Sequence, residues 1–156
     1  MIQEVQITED MRRLAERKAT ILGELNNSIM RGEGSQAGYL GEIIVVNVLG
    51  GSHENTFDYD VTLNDGTTVD VKTKRVSSPP KEHYSCSVAK FNAKQDCDSY
   101  AFVRVKNDLS VGWYLGKINK EDFLTEATEH KRGDVDPDNG FVFRADCYNL
   151  PISMLN

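Results

Sequence analysis

At 156 residues the chain has the length of one domain, spanning residues 1–156, and is long enough to bury a core. Its 18 basic and 24 acidic residues leave a net charge of −6, which argues against a general polyanion-coating protein. No apolar run approaches the ~20 residues of a membrane span. The three cysteines follow no metal motif and no secretory signature precedes them, so reduced thiols in a cytoplasmic protein are expected, with no membrane partner.

Residues 1–7 read as an arm or a short strand. Thr8 is an N-cap ahead of Glu9 and Asp10, and the spacing predicts a helix to about Asn26, with Met11, Leu14, Lys18, Ile21, Leu22 and Leu25 on one stripe. Met30-Arg31-Gly32-Glu33-Gly34-Ser35 is a break. A second helix is predicted from near Ser35 to Leu49, ended by Gly50-Gly51. From Leu40 to Leu49 its only charged residue is Glu42, which shares a face with Gly38, Val45, Val46 and Leu49. A helix apolar nearly all round is a buried helix, and a carboxylate in it must be paired, protonated or metal-bound. Its place near the helix start, or an arginine, would satisfy it structurally.

The stretch Phe57 to Arg75 reads as a β-hairpin about the turn signal Asn64-Asp65-Gly66. A three-residue loop with Gly66 last pairs Val61 with Val69 and Leu63 with Thr67 on one apolar face. The other face then carries Asp58, Asp60, Asp70, Lys72 and Lys74, with Asp60 opposite Asp70 and Asp58 opposite Lys72. Directly opposed like charges repel, so two facing carboxylates call for a cation, and oxygen-only ligands suit a hard ion such as Mg²⁺. The competing reading is a solvated face of alternating charge.

Ser77-Ser78-Pro79-Pro80 ends the second strand, and Tyr84 to Val88 is a third. Ala89 to Asp96 is a short helix carrying Lys90, Lys94 and Gln95, or a loop. Ser99 to Lys106 and Val111 to Leu115 are strands joined by a turn at Asn107-Asp108. Asn119 caps a helix through Ala127, Arg132 to Gly140 is a polar loop, Phe141 to Tyr148 is a last strand, and Leu150 to Leu155 is a tail helix or turn. Charge is polarised along this order. From Lys72 to Lys94 six basic residues face one acid, and from Asn119 to Asp138 seven acids face three basic residues. A basic stretch beside an acidic site fits a nucleic-acid enzyme, with Lys74, Arg75, Lys81, Lys90 and Lys94 as candidate backbone contacts.

Gly41-Glu42 in an apolar helix, Asp60 before Val-Thr-Leu, then Asp70-Val71-Lys72-Thr73 in the next strand resembles the PD-(D/E)XK nuclease superfamily, of the small stand-alone phage or bacterial endonuclease type. The resemblance covers about residues 35–106. It implies an α/β (α+β, mixed-sheet) restriction-endonuclease-like fold with an αβββαβ core, extended by an N-terminal helix and C-terminal strands and helix. Asp60 resembles the first motif acid and Asp70 the second, both metal ligands aided by the Val71 carbonyl. Lys72 resembles the lysine that positions the attacking water, and Glu42 the glutamate that completes the metal shell. Gln95 and Lys94 on the short helix are accessory candidates. Tyr59 stands where a proline is often found, and Asp58 competes with Asp60 for the first position.

The resemblance implies an Mg²⁺-dependent nuclease of the (endo)deoxyribonuclease kind, with Mn²⁺ able to substitute, directed by nucleic-acid structure or by a partner; DNA versus RNA, endo- versus exonucleolytic cutting, and a homodimer or protein partner are left open. An inactive nuclease-fold protein that binds nucleic acid or protein is the alternative. A third reading is an interaction protein working through the acidic segment 119–138. His53, His83 and His130 stand singly, and no glycine-rich phosphate loop or nucleophile motif offers a rival enzyme.

Overall fold

The computed structural model describes residues 2–26, 33–54, 56–136 and 140–156. In chain order the elements are β1 (Gln3–Gln6), α1 (Glu9–Asn26), α2 (Glu33–Leu49), β2 (Ser52–His53), β3 (Val61–Thr62), β4 (Thr68–Val76), β5 (Ser85–Ala89), a 3-10 turn (Lys90–Lys94), β6 (Ser99–Lys106), β7 (Val111–Asn119), α3 (Lys120–Glu126), β8 (Thr128–His130), β9 (Cys147–Pro151) and a 3-10 turn (Ile152–Met154). A six-stranded sheet has the order β1-β7-β6-β4-β3-β2, and a three-stranded sheet the order β5-β9-β8. Among the described residues β4 and β6 pair in parallel and the other strand pairings are antiparallel. The architecture is mixed α and β.

The hairpin takes the expected register, with Val61 opposite Val69 and Thr62 opposite Thr68. The turn is held by Asp65, whose Oδ1 accepts from the Thr67 amide at 2.9 Å and hydroxyl at 2.6 Å. Gly66 sits at φ +88°, a conformation that costs other L-residues energy. The strand before the turn is much shorter than expected. Pairing stops at Val61, so Asp60 and Asp70 are not ladder partners, nor are Asp58 and Lys72. The Asp60 amide still reaches the Val69 carbonyl, at 2.9 Å.

Both faces of the large sheet are covered, not one. Alternation along β6 sends Ala101, Val103 and Val105 toward α2, where they meet Leu40, Ile44, Val61 and Val69. It sends Tyr100 and Phe102 the other way, onto Phe123, Trp113, Leu115, Val88 and Leu150. Seven of its eight residues are therefore buried, the pattern of a strand packed on both sides. Helix α2 lies close on β4 because Gly41 has no side chain: a Cβ there would fall 1.8 Å from Thr73 Oγ1.

Helix α1 starts as expected, with Thr8 Oγ1 accepting the Met11 amide at 3.2 Å, but it packs through a different face. Ala15 and Ala19 are buried while Leu14 and Ile21 are exposed. Small side chains on the packed face let two helices approach closely. Leu22 and Leu25 belong to side chains outside the described residues, as does the part of the expected break at Met30-Arg31-Gly32; Glu33 to Ser35 already lie in α2.

Other boundaries moved as well. The predicted third strand forms as β5 but leaves the large sheet to pair with β9, while the two-residue β2, hidden behind Gly50-Gly51, joins it instead. The last strand runs Cys147–Pro151 rather than Phe141 to Tyr148. From 141 to 146 only Val142 bridges, to Val135. The ambiguous segment after Ala89 is a 3-10 turn. Among the described residues no helix is long and apolar enough to cross a membrane.

Candidate metal and phosphate site

Because β3 begins only at Val61, β4 runs on past it with an open edge. Val69 turns its amide and carbonyl toward β3, and alternation makes Val71 do the same. With no strand there, the Val71 amide donates to Asp60 Oδ2 at 2.8 Å, and its carbonyl projects from the same edge. A short strand thus hands its place in the ladder to a carboxylate.

Three acids, from α2, from β4 and from the loop before β3, interact electrostatically at this edge. Burial is the largest cause raising the Asp60 pKa, followed by the charges of Glu42 and Asp70; the Val71 amide opposes them. Glu42, 7% exposed, is raised to about 7 by burial, with Lys18 lowering it and Asp70 raising it. Tyr39 is raised by burial and by the same Glu42 and Asp60. The expectation that Glu42 must be paired or protonated is met by a cation that was not anticipated in that role. Lys18 of α1 places Nζ 3.4 Å from Glu42 Oε1 and 5.0 Å from the centre of the Tyr39 ring.

Lys72 Nζ lies 2.6 Å from Asp70 Oδ2. That contact is short enough for an ion pair, yet its angles miss hydrogen-bond geometry, and Asp70 Oδ2 is buried without a directed donor. The distance compensates the charge while the angles leave acceptor capacity unused: Asp70 is neutralised but not saturated. Lys72 Nζ also donates to Gln95 Oε1 at 3.2 Å, and Gln95 Nε2 to the Phe57 carbonyl at 2.7 Å. Lys120 Nζ donates to the Gln95 carbonyl. Buried Gln95 therefore tethers Lys72 to the segment that leads into Asp60.

Glu42, Asp60, Asp70, Val71, Lys72 and Gln95 come together here. Asp58 does not join them; its Oδ1 accepts the Asp96 amide at 3.1 Å and fastens the chain before Asp60 to the turn after the 3-10 segment. The expected backbone-contacting cations are dispersed. Lys74 follows Lys72 on the same face of β4 and lies beside Arg104 in the parallel ladder. Arg75 donates to the Asn107 carbonyl at 2.7 Å. Lys90 pairs with Glu129 at 2.9 Å, and Lys81 and Lys94 are exposed.

Among the described residues no three His, Cys, Asp or Glu side chains converge as a preformed metal cage. The donor chemistry nevertheless fits a hard divalent ion. All candidate ligands are oxygens, two of the acids hold protons more tightly than usual because they are buried and have like charge nearby, and one buried carboxylate oxygen lacks a donor. The three cysteines offer no alternative centre: all are free and buried, and burial raises each thiol, Cys97 to about 11 and Cys86 to about 12. Sequence reasoning missed Lys18, Tyr39 and Lys120 as parts of this site. Lys18 carried a signal, as the one charge within an otherwise apolar stripe; Tyr39 and Lys120 carried none. No family model matches the sequence, and no curated protein matches it.

Proposed function

We propose that the protein is a metal-dependent nuclease that hydrolyses phosphodiester bonds, in DNA by preference, with substrate choice governed by structure or a partner. One observation carries the reading: Glu42, Asp60 and Asp70 are mutually coupled, part-buried acids at an open sheet edge, with Lys72 held at 2.6 Å from Asp70. We also read the core as restriction-endonuclease-like. Helix α2, strands β2, β3 and β4, the 3-10 turn and β6 supply the αβββαβ order, with β5 diverted to its own sheet. The buried free thiols suit a reducing, cytoplasmic setting.

Glu42, Asp60, Asp70 and the Val71 carbonyl would hold Mg²⁺ or Mn²⁺. Such an ion supplies Lewis-acid stabilisation of phosphate charge and a more acidic water. The remaining roles belong to the chain. Lys72 Nζ is a three-proton donor fixed by Gln95, suited to orient a water oxygen or to offset charge developing on a phosphate oxygen. Lys18 keeps Glu42 compensated in the absence of metal and is free to turn toward an anion once the acid is engaged elsewhere.

The test is cleavage of linear duplex, single strand, flap, four-way junction and RNA in Mg²⁺ or Mn²⁺. Asp70→Ala and Lys72→Ala should each lower the rate by about a thousandfold or more, a barrier increase of about 4 kcal/mol. Folding should be retained by circular dichroism. A specific feature favours a second reading, an inactive nucleic-acid binder: Lys18 and Lys72 already offset Glu42 and Asp70. Binding without cutting in either metal, unchanged by Asp70→Ala, would favour it.

A further inference from the structure

Beyond Lys72, on the face of β4 away from α2, the surface opens into a cavity of about 600 Å³ between the two sheets. Strand alternation puts Asp70, Lys72 and Lys74 on one face, so the cavity begins where the carboxylate edge ends, and Asp70 and Lys74 stand about 13 Å apart along the strand. The floor is cationic. Lys74 lies directly beside Arg104 in the ladder, where like charges repel. Arg104 is 7% exposed; its guanidinium donates to the Ser85 carbonyl at 3.0 Å and lies 5.4 Å from the centre of the Tyr84 ring.

Among the described residues no carboxylate stands within 4.0 Å of either cation, and Asp136 on the rim acts on Lys74 only at longer range. The opposite wall is aromatic, with Tyr84 and Phe143 and the exposed Arg144 at its edge. Buried Arg104 beside the exposed Lys74, neither within ion-pair range of a carboxylate among the described residues, makes a positive floor that favours an anion. An inorganic anion would leave the aromatic wall unfilled. A nucleotide carries both parts, and the volume is that of a site for one small molecule.

We propose that this cavity receives one unpaired nucleotide of a single-stranded segment, with its phosphate toward Lys74 and Arg104 and its base against Tyr84. The proposal rests on the nuclease reading for its relation to the scissile bond: the lodged nucleotide would lie next to the phosphate held at the carboxylate edge. It deepens that reading by naming the substrate, a strand with at least one base out of its pair. Aromatic stacking of an unpaired base is sequence-tolerant, which agrees with the lack of any base-reading element.

The experiment is binding in EDTA, where no cutting occurs, followed by 2-aminopurine fluorescence. The probes are a short single strand carrying 2-aminopurine, the same strand in a duplex, and the 2-aminopurine deoxynucleoside monophosphate. The single strand should bind about tenfold more tightly than the duplex, with quenching that Tyr84→Leu abolishes. Lys74→Ala and Arg144→Ala should each weaken single-strand binding several-fold, and Lys74→Arg should restore it, which separates lost charge from lost folding. Equal affinity for duplex and single strand would overturn the proposal, as would a mononucleotide bound as tightly as the strand. Asp70→Asn separates the two readings. If it keeps the single-strand preference while wild type never cuts, the cavity stands and the nuclease falls. If wild type cuts but shows no preference, the cavity falls alone.

Discussion

Along one face of β4 the charge changes sign. At Asp70 the strand meets Glu42 and Asp60, three carboxylates against the two ammonium groups of Lys18 and Lys72. At Lys74 it meets Arg104, with no carboxylate in ion-pair range among the described residues. The backbone and its pleat are similar at the two ends, although Asp70 is buried and Lys74 exposed. What differs is the surroundings: α2, packed on the opposite face of β4, brings Glu42 to the open edge beside Asp60 and Asp70, and the second sheet brings aromatic rings toward Lys74. The acidic end is compensated internally yet holds its protons tightly, so it gains most from added positive charge. The basic end lacks compensation, so it gains from an anion. A phosphodiester strand with a divalent ion matches that pair of demands.

The largest expected effect tests the acidic end through pH. Glu42 sits at about 7 in the folded protein against 4.5 ordinarily, so the native state binds its proton more tightly than the unfolded chain. The stability this proton confers is fully present below about pH 4.5 and is lost as pH rises through 7. Asp60 is raised as well and acts with the same sign. In EDTA, urea unfolding should therefore show stability falling between pH 5 and pH 8 by on the order of 3 kcal/mol for Glu42. Glu42→Gln should flatten that slope, and excess Mg²⁺ should reverse it in wild type by binding the ionised cluster. A slope identical in Glu42→Gln and wild type would mean that burial and the neighbouring acid do not raise Glu42, and the contrast between the two ends of β4 would collapse.

The next effect concerns how α2 delivers its acid. A Cβ on Gly41 would fall 1.8 Å from Thr73 Oγ1 and 3.0 Å from Thr73 Cβ. Gly41→Ala must then lift the helix or push β4, which should cost about 1–3 kcal/mol as overpacking does. Thr73 Oγ1 is buried with no hydrogen-bond partner, so Thr73→Ala removes the obstacle at little cost. The double variant should recover most of the loss, a coupling that a double-mutant cycle in urea would measure directly. Additive losses would mean that α2 is not seated through this contact.

Local signals carried much of this arrangement. The Asn64-Asp65-Gly66 turn and the apolar alternation around it predict Val61 opposite Val69, because only one register keeps the apolar residues together. The near-absence of charge in α2 predicts its burial, and Thr8 predicts the start of α1. Features that depend on distant chain segments were not legible. Nothing local to Phe57 to Asp60 says that β3 will begin only at Val61, since there the Asp60 carboxylate takes the Val71 amide in place of a further strand residue. The stripe of α1 contained Leu14 and Ile21, yet Ala15 and Ala19 are buried, because close approach to α2 outweighs hydrophobicity there. The diversion of β5 depends on β9, more than fifty residues later in sequence, and the cavity exists only because of that diversion. Within the site, Glu42, Asp60, Asp70 and Lys72 followed from their spacing; Lys120 arrives from a segment that shares no pattern with them.

The smallest effect isolates the turn from everything it positions. Gly66 has φ +88° and open space where a Cβ would go, so Gly66→Ala meets no clash and should cost only the backbone preference, about 1 kcal/mol. Gly66→Asn should cost less, since Asn tolerates that conformation better. The register itself should survive both, because a slip by one residue would turn Val61 and Val69 out of the core and bury charge in their place. The Mg²⁺-dependent stabilisation at the acidic end should then be unchanged in Gly66→Ala, with the whole urea curve displaced and its slope preserved. Loss of the Mg²⁺ response in this variant would mean that the turn, rather than the apolar pattern, sets the register that brings Asp60 to Val71. The acidic end of β4 would then be far more fragile than the basic one.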